Sequence, residues 1–148
     1  NWTGGKVGVG SLKGTKWGIA ANTYGHLNIY HLTVDDAAGI YIKDYLQPLR
    51  ADRYGPALAF QMLDTAINSG GKRANQLLQA AVGEAQDGVI GPRTLAAVER
   101  MGEAKAVIAL NAARLEFMTG LAAWESFGRG WARRIADNLR HAADDLKT

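Results

Sequence analysis

The chain has 148 residues, of which 47% are hydrophobic and 21% are charged, and this composition predicts one globular domain rather than a disordered tail or linker. Cysteine is absent, which excludes disulfides, thiolate metal sites and a cysteine nucleophile, and no apolar run approaches the roughly 20 residues that span a bilayer. The net charge of +3 favours polyanionic partners, a description that bacterial cell wall and nucleic acid both meet.

The predicted elements begin with an irregular segment. Seven glycines within the first 25 residues favour loops and a short hairpin over a long helix. From Thr33 the pattern becomes helical, with Thr33 as the N-cap and Pro48 as the residue that ends the helix. A second helix is expected to start at Pro56 and to stop at residues 69–71, a Ser-Gly-Gly sequence.

Four further helices are predicted, so the expected fold class is mainly α. One covers residues 72–82, and a loop over residues 83–91 leads to the next, which covers residues 92–101. The fifth helix, residues 103–119, and the sixth are each expected to turn an apolar stripe inward. The two stripes consist of Ile108, Ala112, Leu115 and Met118, and of Trp131, Ile135, Leu139, Ala142 and Leu146. Residues 124–130 predict a glycine-containing corner, where Phe127 and Trp131 anchor the sixth helix.

Three segments have patterns that fit either a structural role or a functional site: residues 14–19, 64–70 and 79–94. The first is either a turn with a core tryptophan or part of a site, and the second is an ordinary helix end or part of a cleft. Asp64 lies one helical turn before Asn68 and therefore on the same face. Asp64 is thus either a buried hydrogen-bonding residue or a residue that lines a cleft.

The remaining polar residues predict no metal, cofactor or nucleic-acid site. The histidines His26, His31 and His141 lack the spacing of a zinc site. Residues 8–10 lack the third glycine and the strand-helix context of a nucleotide-binding loop. The last helix carries aspartates alongside its arginines, a pattern typical of a solvated mixed surface.

Together, these segments resemble the N-acetylmuramidases of glycoside hydrolase family 108. The sequence Gly14-Thr15-Lys16-Trp17-Gly18-Ile19 is similar to the family's Thr-Lys-Tyr-Gly-Ile element, and residues 32–45 and 63–70 resemble two of its helices. Residues 77–79, 87–95 and 127–134 resemble the peptidoglycan-binding region that follows in the family. The resemblance implies a lysozyme-like helical domain with an irregular Gly-rich N-terminal lobe. It also implies a muramidase part over residues 1–70 and a helical peptidoglycan-binding region over residues 71–148, packed together as one compact unit.

The activity that this resemblance implies is hydrolysis of the β-1,4 bond between N-acetylmuramic acid and N-acetylglucosamine by a general-acid glutamate. The family carries this glutamate in a Glu-Gly-Gly-aromatic motif, and Asn1-Trp2 resembles the last two positions of that motif. The acid is therefore expected two residues before Asn1. The resemblance further implies that Thr15 positions a water molecule. The implied sugar-binding residues are Lys16, Trp17, Tyr45, Asp64 and Asn68, and the implied wall-binding residues are Gln79, Asp87 and Thr94.

Three alternatives remain open at this stage. A non-catalytic wall-binding protein would lack the upstream glutamate, and a secretion-accessory protein on the same scaffold would fail to bind purified peptidoglycan. A basic nucleic-acid-binding domain would bind DNA with a steep salt dependence. The expected partner is the peptidoglycan glycan strand, and the expected place of action is the cell wall, in the periplasm or outside the cell. The sequence leaves the oligomeric state open.

Overall fold

The computed structural model describes residues 15–16, 19–20, 24 and 26–146. The chain divides into two compact units, Asn1–Asp44 and Tyr45–Thr148. Most of the Gly-rich segment that was predicted to form an irregular lobe lies outside the described residues. No helix within the described ranges is long and apolar enough to cross a bilayer.

The first unit contains a short hairpin and one helix. Strand β1 (Thr15–Lys16) pairs antiparallel with β2 (Ile19–Ala20) and packs beside the 3-10 turn Ile29–His31. Helix α1 (Val34–Tyr41) begins at the predicted cap, Thr33. The Thr33 hydroxyl accepts the Asp36 N–H at 3.1 Å, and the Asp36 carboxylate accepts the Thr33 N–H at 3.0 Å. This reciprocal pair satisfies two N–H groups that a helix start otherwise leaves free.

The segment that joins the two units departs from the predicted single helix. A π-helical turn (Ile42–Leu46) follows α1, and then come α2 (Gln47–Leu49) and the 3-10 turn Ala51–Arg53. The prediction that Pro48 ends the helix is wrong, because Pro48 lies in the first turn of α2, where its missing N–H costs nothing. The helix ends instead at Arg50, which adopts a left-handed conformation with φ 54°.

The second unit is a bundle of five longer helices: α3 (Pro56–Ser69), α4 (Gly71–Val82), α5 (Pro92–Met101), α6 (Glu103–Thr119) and α7 (Trp124–Asp145). Helix α3 packs against α4, α6 and α7, and α6 also packs against α4, α5 and α7. Gly70 and Gly102 have φ values of 86° and 84°, a conformation that favours glycine, and each joins two helices as a single residue. The mainly α prediction is confirmed.

The predicted corner over residues 124–130 is wrong, because these residues form the first two turns of α7. Gly128, which suggested a bend, instead makes room for a ring: a Cβ atom at this position would lie 2.5 Å from Cδ2 of Trp124. Phe127 is 60% exposed and stacks on Trp131 of the same helix, with the ring centroids 6.0 Å apart. The glycine therefore serves packing within the helix.

The predicted inward stripe of α6 is also wrong. Ile108 is 63% exposed and Ala112 is exposed. The buried face is rotated by about one residue and consists of Ala106, Val107, Leu110, Asn111, Arg114 and Met118. Two of these inward positions are polar, which is why the apolar pattern indicated another face. In α7 the predicted stripe is confirmed at Ile135 and Ala142, which are buried, and is wrong at Leu139, which is 40% exposed while the neighbouring Asn138 is buried.

Candidate functional site

A cluster of hydrogen-bonded polar side chains lies where α3, α6 and α7 meet, around Asp64. Oδ2 of Asp64 accepts hydrogen bonds from Nη1 of Arg114 at 2.7 Å and from Nδ2 of Asn138 at 2.6 Å. Its Oδ1 accepts a hydrogen bond from Nε of Arg134 at 3.1 Å. The Arg114 side chain is only 1% exposed and that of Asp64 only 12%. The carboxylate thus compensates a buried guanidinium.

Asn68 joins this cluster one turn after Asp64. With its amide oxygen turned toward the arginines, Asn68 accepts hydrogen bonds from Nη2 of Arg114 at 2.7 Å and from Nε of Arg134 at 3.0 Å. The structure therefore brings together two residues that the sequence analysis assigned to sugar binding. Their side chains are engaged by arginines of α6 and α7, and sugar contact by these two residues stays a prediction.

The acid–base behaviour of Asp64 follows from the same contacts. Burial by itself raises the pKa of Asp64, but the hydrogen bonds from Arg134, Asn138 and Arg114 outweigh it and hold the pKa below its ordinary value of 3.8. A carboxylate with a lowered pKa stabilises the folded protein above its unfolded-state pKa, and this contribution disappears as the pH falls through the folded-state value.

We therefore expect the parent protein to lose stability steeply below about pH 4. An Asp64→Asn variant, which has no proton to gain at this position, should show a shallower loss over the same range. Urea unfolding at several pH values between neutrality and pH 3 measures both slopes. Parallel slopes for the two proteins would show that Asp64 does not carry the acid sensitivity.

Two buried amide side chains, those of Gln61 and Asn111, form further hydrogen bonds next to this cluster. Nε2 of Gln61 donates to the main-chain carbonyl oxygen of Asn138 at 2.8 Å, and Nδ2 of Asn111 donates to Oε1 of Gln61 at 3.1 Å. These residues and the arginines were not predicted from the sequence, because a polar side chain on an otherwise apolar helix gives no local sign of its partner. The only available signal is that Gln61 and Asn111 each lie among buried apolar neighbours.

The predicted wall-binding residues Gln79, Asp87 and Thr94 also lie together. Nε2 of Gln79 donates to Oδ1 of Asp87 at 2.8 Å and to Oγ1 of Thr94 at 3.3 Å, and Oε1 of Gln79 accepts the Gly88 N–H at 2.9 Å. Gln79 is 1% exposed. A small cavity of about 220 Å³ borders the three residues. Gln79 thus holds the Asp87-Gly88 turn in place, and wall contact by the three residues stays a prediction.

Replacing Gln79 by Leu is expected to lower the free energy of unfolding by about 2–3 kcal/mol, because the Gly88 N–H and the buried Thr94 lose their partner. Urea denaturation followed by circular dichroism measures this loss. Gln76→Leu on the same helix is the control, since within the described ranges the Gln76 side chain makes one long hydrogen bond, 3.4 Å, to the carbonyl oxygen of Gln86. Reduced sedimentation with cell walls at unchanged stability would instead assign Gln79 to the wall contact.

The first unit contains a pocket of about 700 Å³. Its polar lining consists of Tyr24, His26, Asn28, His31, Asp35, Asp36, Lys43 and Asp44. The Tyr24 hydroxyl donates a hydrogen bond to Oδ2 of Asp44 at 2.7 Å. Carboxylates, imidazoles and an amide around one pocket provide the donors and acceptors that a sugar requires. The pocket was not predicted from the sequence, because its residues are spread over 21 positions with no motif spacing.

The hairpin carries two of the other predicted site residues, Thr15 and Lys16. In β1, Thr15 pairs with Ala20 and Lys16 with Ile19. This strand packs beside the Ile29–His31 turn, whose His31 lines the pocket of the first unit. Trp17 lies outside the described residues. Tyr45 belongs to the second unit and packs, half-buried, against its core.

No three carboxylate or imidazole side chains in the described part of the chain are grouped closely enough to hold a metal ion.

Comparisons with known proteins place the chain in a family. Residues 3–70 match the family described as Glycosyl hydrolase 108, and residues 73–136 match the one described as Predicted Peptidoglycan domain. The solved structure of Brucella abortus SagA is 30% identical, with a TM-score of 0.82, and the alignment covers 99% of this chain and 88% of that chain. The search of curated proteins gave no match. The expected lysozyme-like helical fold is confirmed, and the chain belongs to the glycosyl hydrolase 108 family, with a predicted peptidoglycan domain after its hydrolase segment.

Proposed function

We propose that this protein hydrolyses peptidoglycan at the β-1,4 bond between N-acetylmuramic acid and N-acetylglucosamine, and that it acts at the cell wall, in the periplasm or outside the cell. The observation that carries the proposal is the order of the matched segments, in which a glycosyl hydrolase segment over residues 3–70 precedes a peptidoglycan domain over residues 73–136. The net charge of +3 supports association with an anionic polymer.

The proposed chemistry is general-acid catalysis. A glutamate two residues before Asn1 in the full-length protein would protonate the leaving oxygen, and Thr15 would position the water that attacks the sugar. The pocket of the first unit supports this role for residues 1–44, because it is large enough for a sugar and its lining includes hydrogen-bonding groups. Lys16, Trp17 and Tyr45 are proposed to contact the glycan.

The role of residues 71–148 is proposed to be retention on the wall. The boundary at residue 70 separates the proposed hydrolytic segment from the proposed wall-binding segment in the sequence. Helix α3, which precedes this border, packs directly against α4, α6 and α7, which follow it. We therefore expect that residues 1–70 expressed alone would lose the packing surface of α3.

Digestion of purified peptidoglycan by the full-length protein tests the proposal, with the solubilised fragments analysed by mass spectrometry. New reducing ends on N-acetylmuramic acid are the expected result, and a Glu→Gln variant at the upstream position should abolish them. Reducing ends on N-acetylglucosamine would contradict the assigned bond. Sedimentation with the wall without any released fragment would identify a non-catalytic wall-binding protein, and a failure to sediment would favour a secretion-accessory role.

A further inference from the structure

A cavity of about 760 Å³ lies in the second unit, apart from the residues assigned above. One wall comes from the turn after α2 and the start of α3, and the other comes from α5 and the first residue of α6. The residues that the argument uses are Arg50, Arg53, Tyr54, Leu58, Glu99 and Glu103. This volume is within the range of pockets that bind small molecules.

The cavity presents two cations and two anions. Within the described part of the chain, the side chains of Arg50, Arg53 and Glu99 form no hydrogen bond or ion pair. The carboxylate of Glu103 is fixed at the wall, because its Oε1 accepts the Leu58 N–H at the start of α3 at 2.9 Å. Charged groups without partners at the wall of a cavity remain available to a ligand.

One of the two arginines, Arg50, has an unusual backbone conformation. Arg50 is the non-glycine residue with positive φ in the described ranges, and such a conformation is rare for a long side chain. Turn hydrogen bonds hold it there: the Arg50 N–H donates to the Gln47 carbonyl at 3.0 Å, and the Arg53 N–H donates to the Arg50 carbonyl at 2.9 Å. The tight turn brings Arg50 and Arg53 to the same cavity wall.

Because the cavity is lined by both arginines and glutamates, it favours a ligand that carries both negative and positive groups. Two carboxylates oppose a polyanion, and a neutral glycan would leave Arg50, Arg53 and Glu99 without a counterpart. A ligand with its own carboxylates and an amine matches both signs, since guanidinium groups bind carboxylates bidentately and carboxylates bind ammonium groups. Leu58 supplies an apolar surface beneath them, and the Tyr54 hydroxyl is buried without a hydrogen-bond partner among the described residues.

We infer that this cavity binds the stem peptide of peptidoglycan, the part of the polymer that carries free carboxylates and an amine. The inference rests on the proposed function, because peptidoglycan is the source of that peptide. Recognition would then be divided, with the hydrolase segment binding the glycan and the cavity binding the peptide attached to it.

The experiment is calorimetric titration of the full-length protein with a synthetic stem pentapeptide that carries no sugar. Saturable binding to one site is expected, and the Arg50→Asn and Glu99→Gln variants should bind about tenfold more weakly or worse. Asn tolerates the left-handed conformation of residue 50, so that variant keeps the turn. If it nevertheless melts early, Arg53→Gln at an exposed position provides the same test.

Arg100→Gln is the matched control. Arg100 lies on α5 next to Glu99, but it does not line the cavity and instead lies 3.8 Å from Glu84. This variant changes the charge by the same amount as Arg50→Asn and should bind the peptide like the parent. A pentapeptide with amidated carboxylates should bind weakly, because it offers nothing to the two arginines.

The outcomes separate this inference from the proposed function. Hydrolysis of peptide-free glycan by the parent, together with no peptide binding or with equal binding by all variants, would overturn the inference and leave the hydrolase intact. Peptide binding that depends on Arg50 and Glu99, without hydrolysis or wall retention, would support the cavity and overturn the proposed function.

Discussion

Replacement of Asp64 by Asn is expected to lower the free energy of unfolding by about 3–5 kcal/mol. The reason is the Arg114 side chain, which is 1% exposed and has Asp64 as its anionic partner at 2.7 Å. An amide at position 64 keeps the shape but removes the negative charge, which leaves the guanidinium buried without a counter-charge. Arg134 and Asn138 lose their charged acceptor in the same step.

Urea unfolding at neutral pH, followed by circular dichroism, measures this effect. Asp137→Asn is the matched control, because Asp137 pairs with Arg140 at 2.6 Å on the surface, where its side chain is 66% exposed. A loss within about 0.5 kcal/mol is expected for that variant, since exposed pairs contribute little. Comparable losses in the two variants would mean that burial of Arg114 does not set the energy of the network.

The helix boundaries of the second unit were largely predictable because their signals are local. A proline at the first position of α3 and α5, and a glycine at the ends of α3, α4 and α5, mark these boundaries within the chain itself. The start of α7 was not predictable in this way. Gly128 looks like a bend in the sequence, and only the Trp124 ring that packs on it reveals its role.

The polar interior was less predictable because its partners are distant in sequence. Asp64 and Asn68 could be placed on one face from their spacing, but Arg114 follows Asp64 by 50 residues and Arg134 follows it by 70. An inward-facing arginine also breaks the apolar stripe by which a buried helix face is recognised, as on α6. The cavity that Arg50 and Glu99 line was not predictable for the same reason, since its two walls come from separate parts of the chain.

Replacement of Thr15 by Val is expected to lower kcat for peptidoglycan hydrolysis by about 10²-fold, the scale on which misplacement of a reacting group reduces catalysis. Valine keeps the branched shape of threonine and favours strands, so β1 should still pair with β2. The change removes the hydroxyl, which is the group proposed to position the attacking water.

Thr15→Ser separates this role from a structural one, because serine returns the hydroxyl and removes only a methyl group. If Thr15 positions water, the serine variant should recover most of kcat while KM stays near the parent value in both variants, since the water is held for the chemical step rather than for substrate binding. A methyl group that only packs the hairpin would give the opposite ranking, with Thr15→Val close to the parent and Thr15→Ser impaired. The order of the two variants therefore decides whether the hydroxyl or the shape of Thr15 matters.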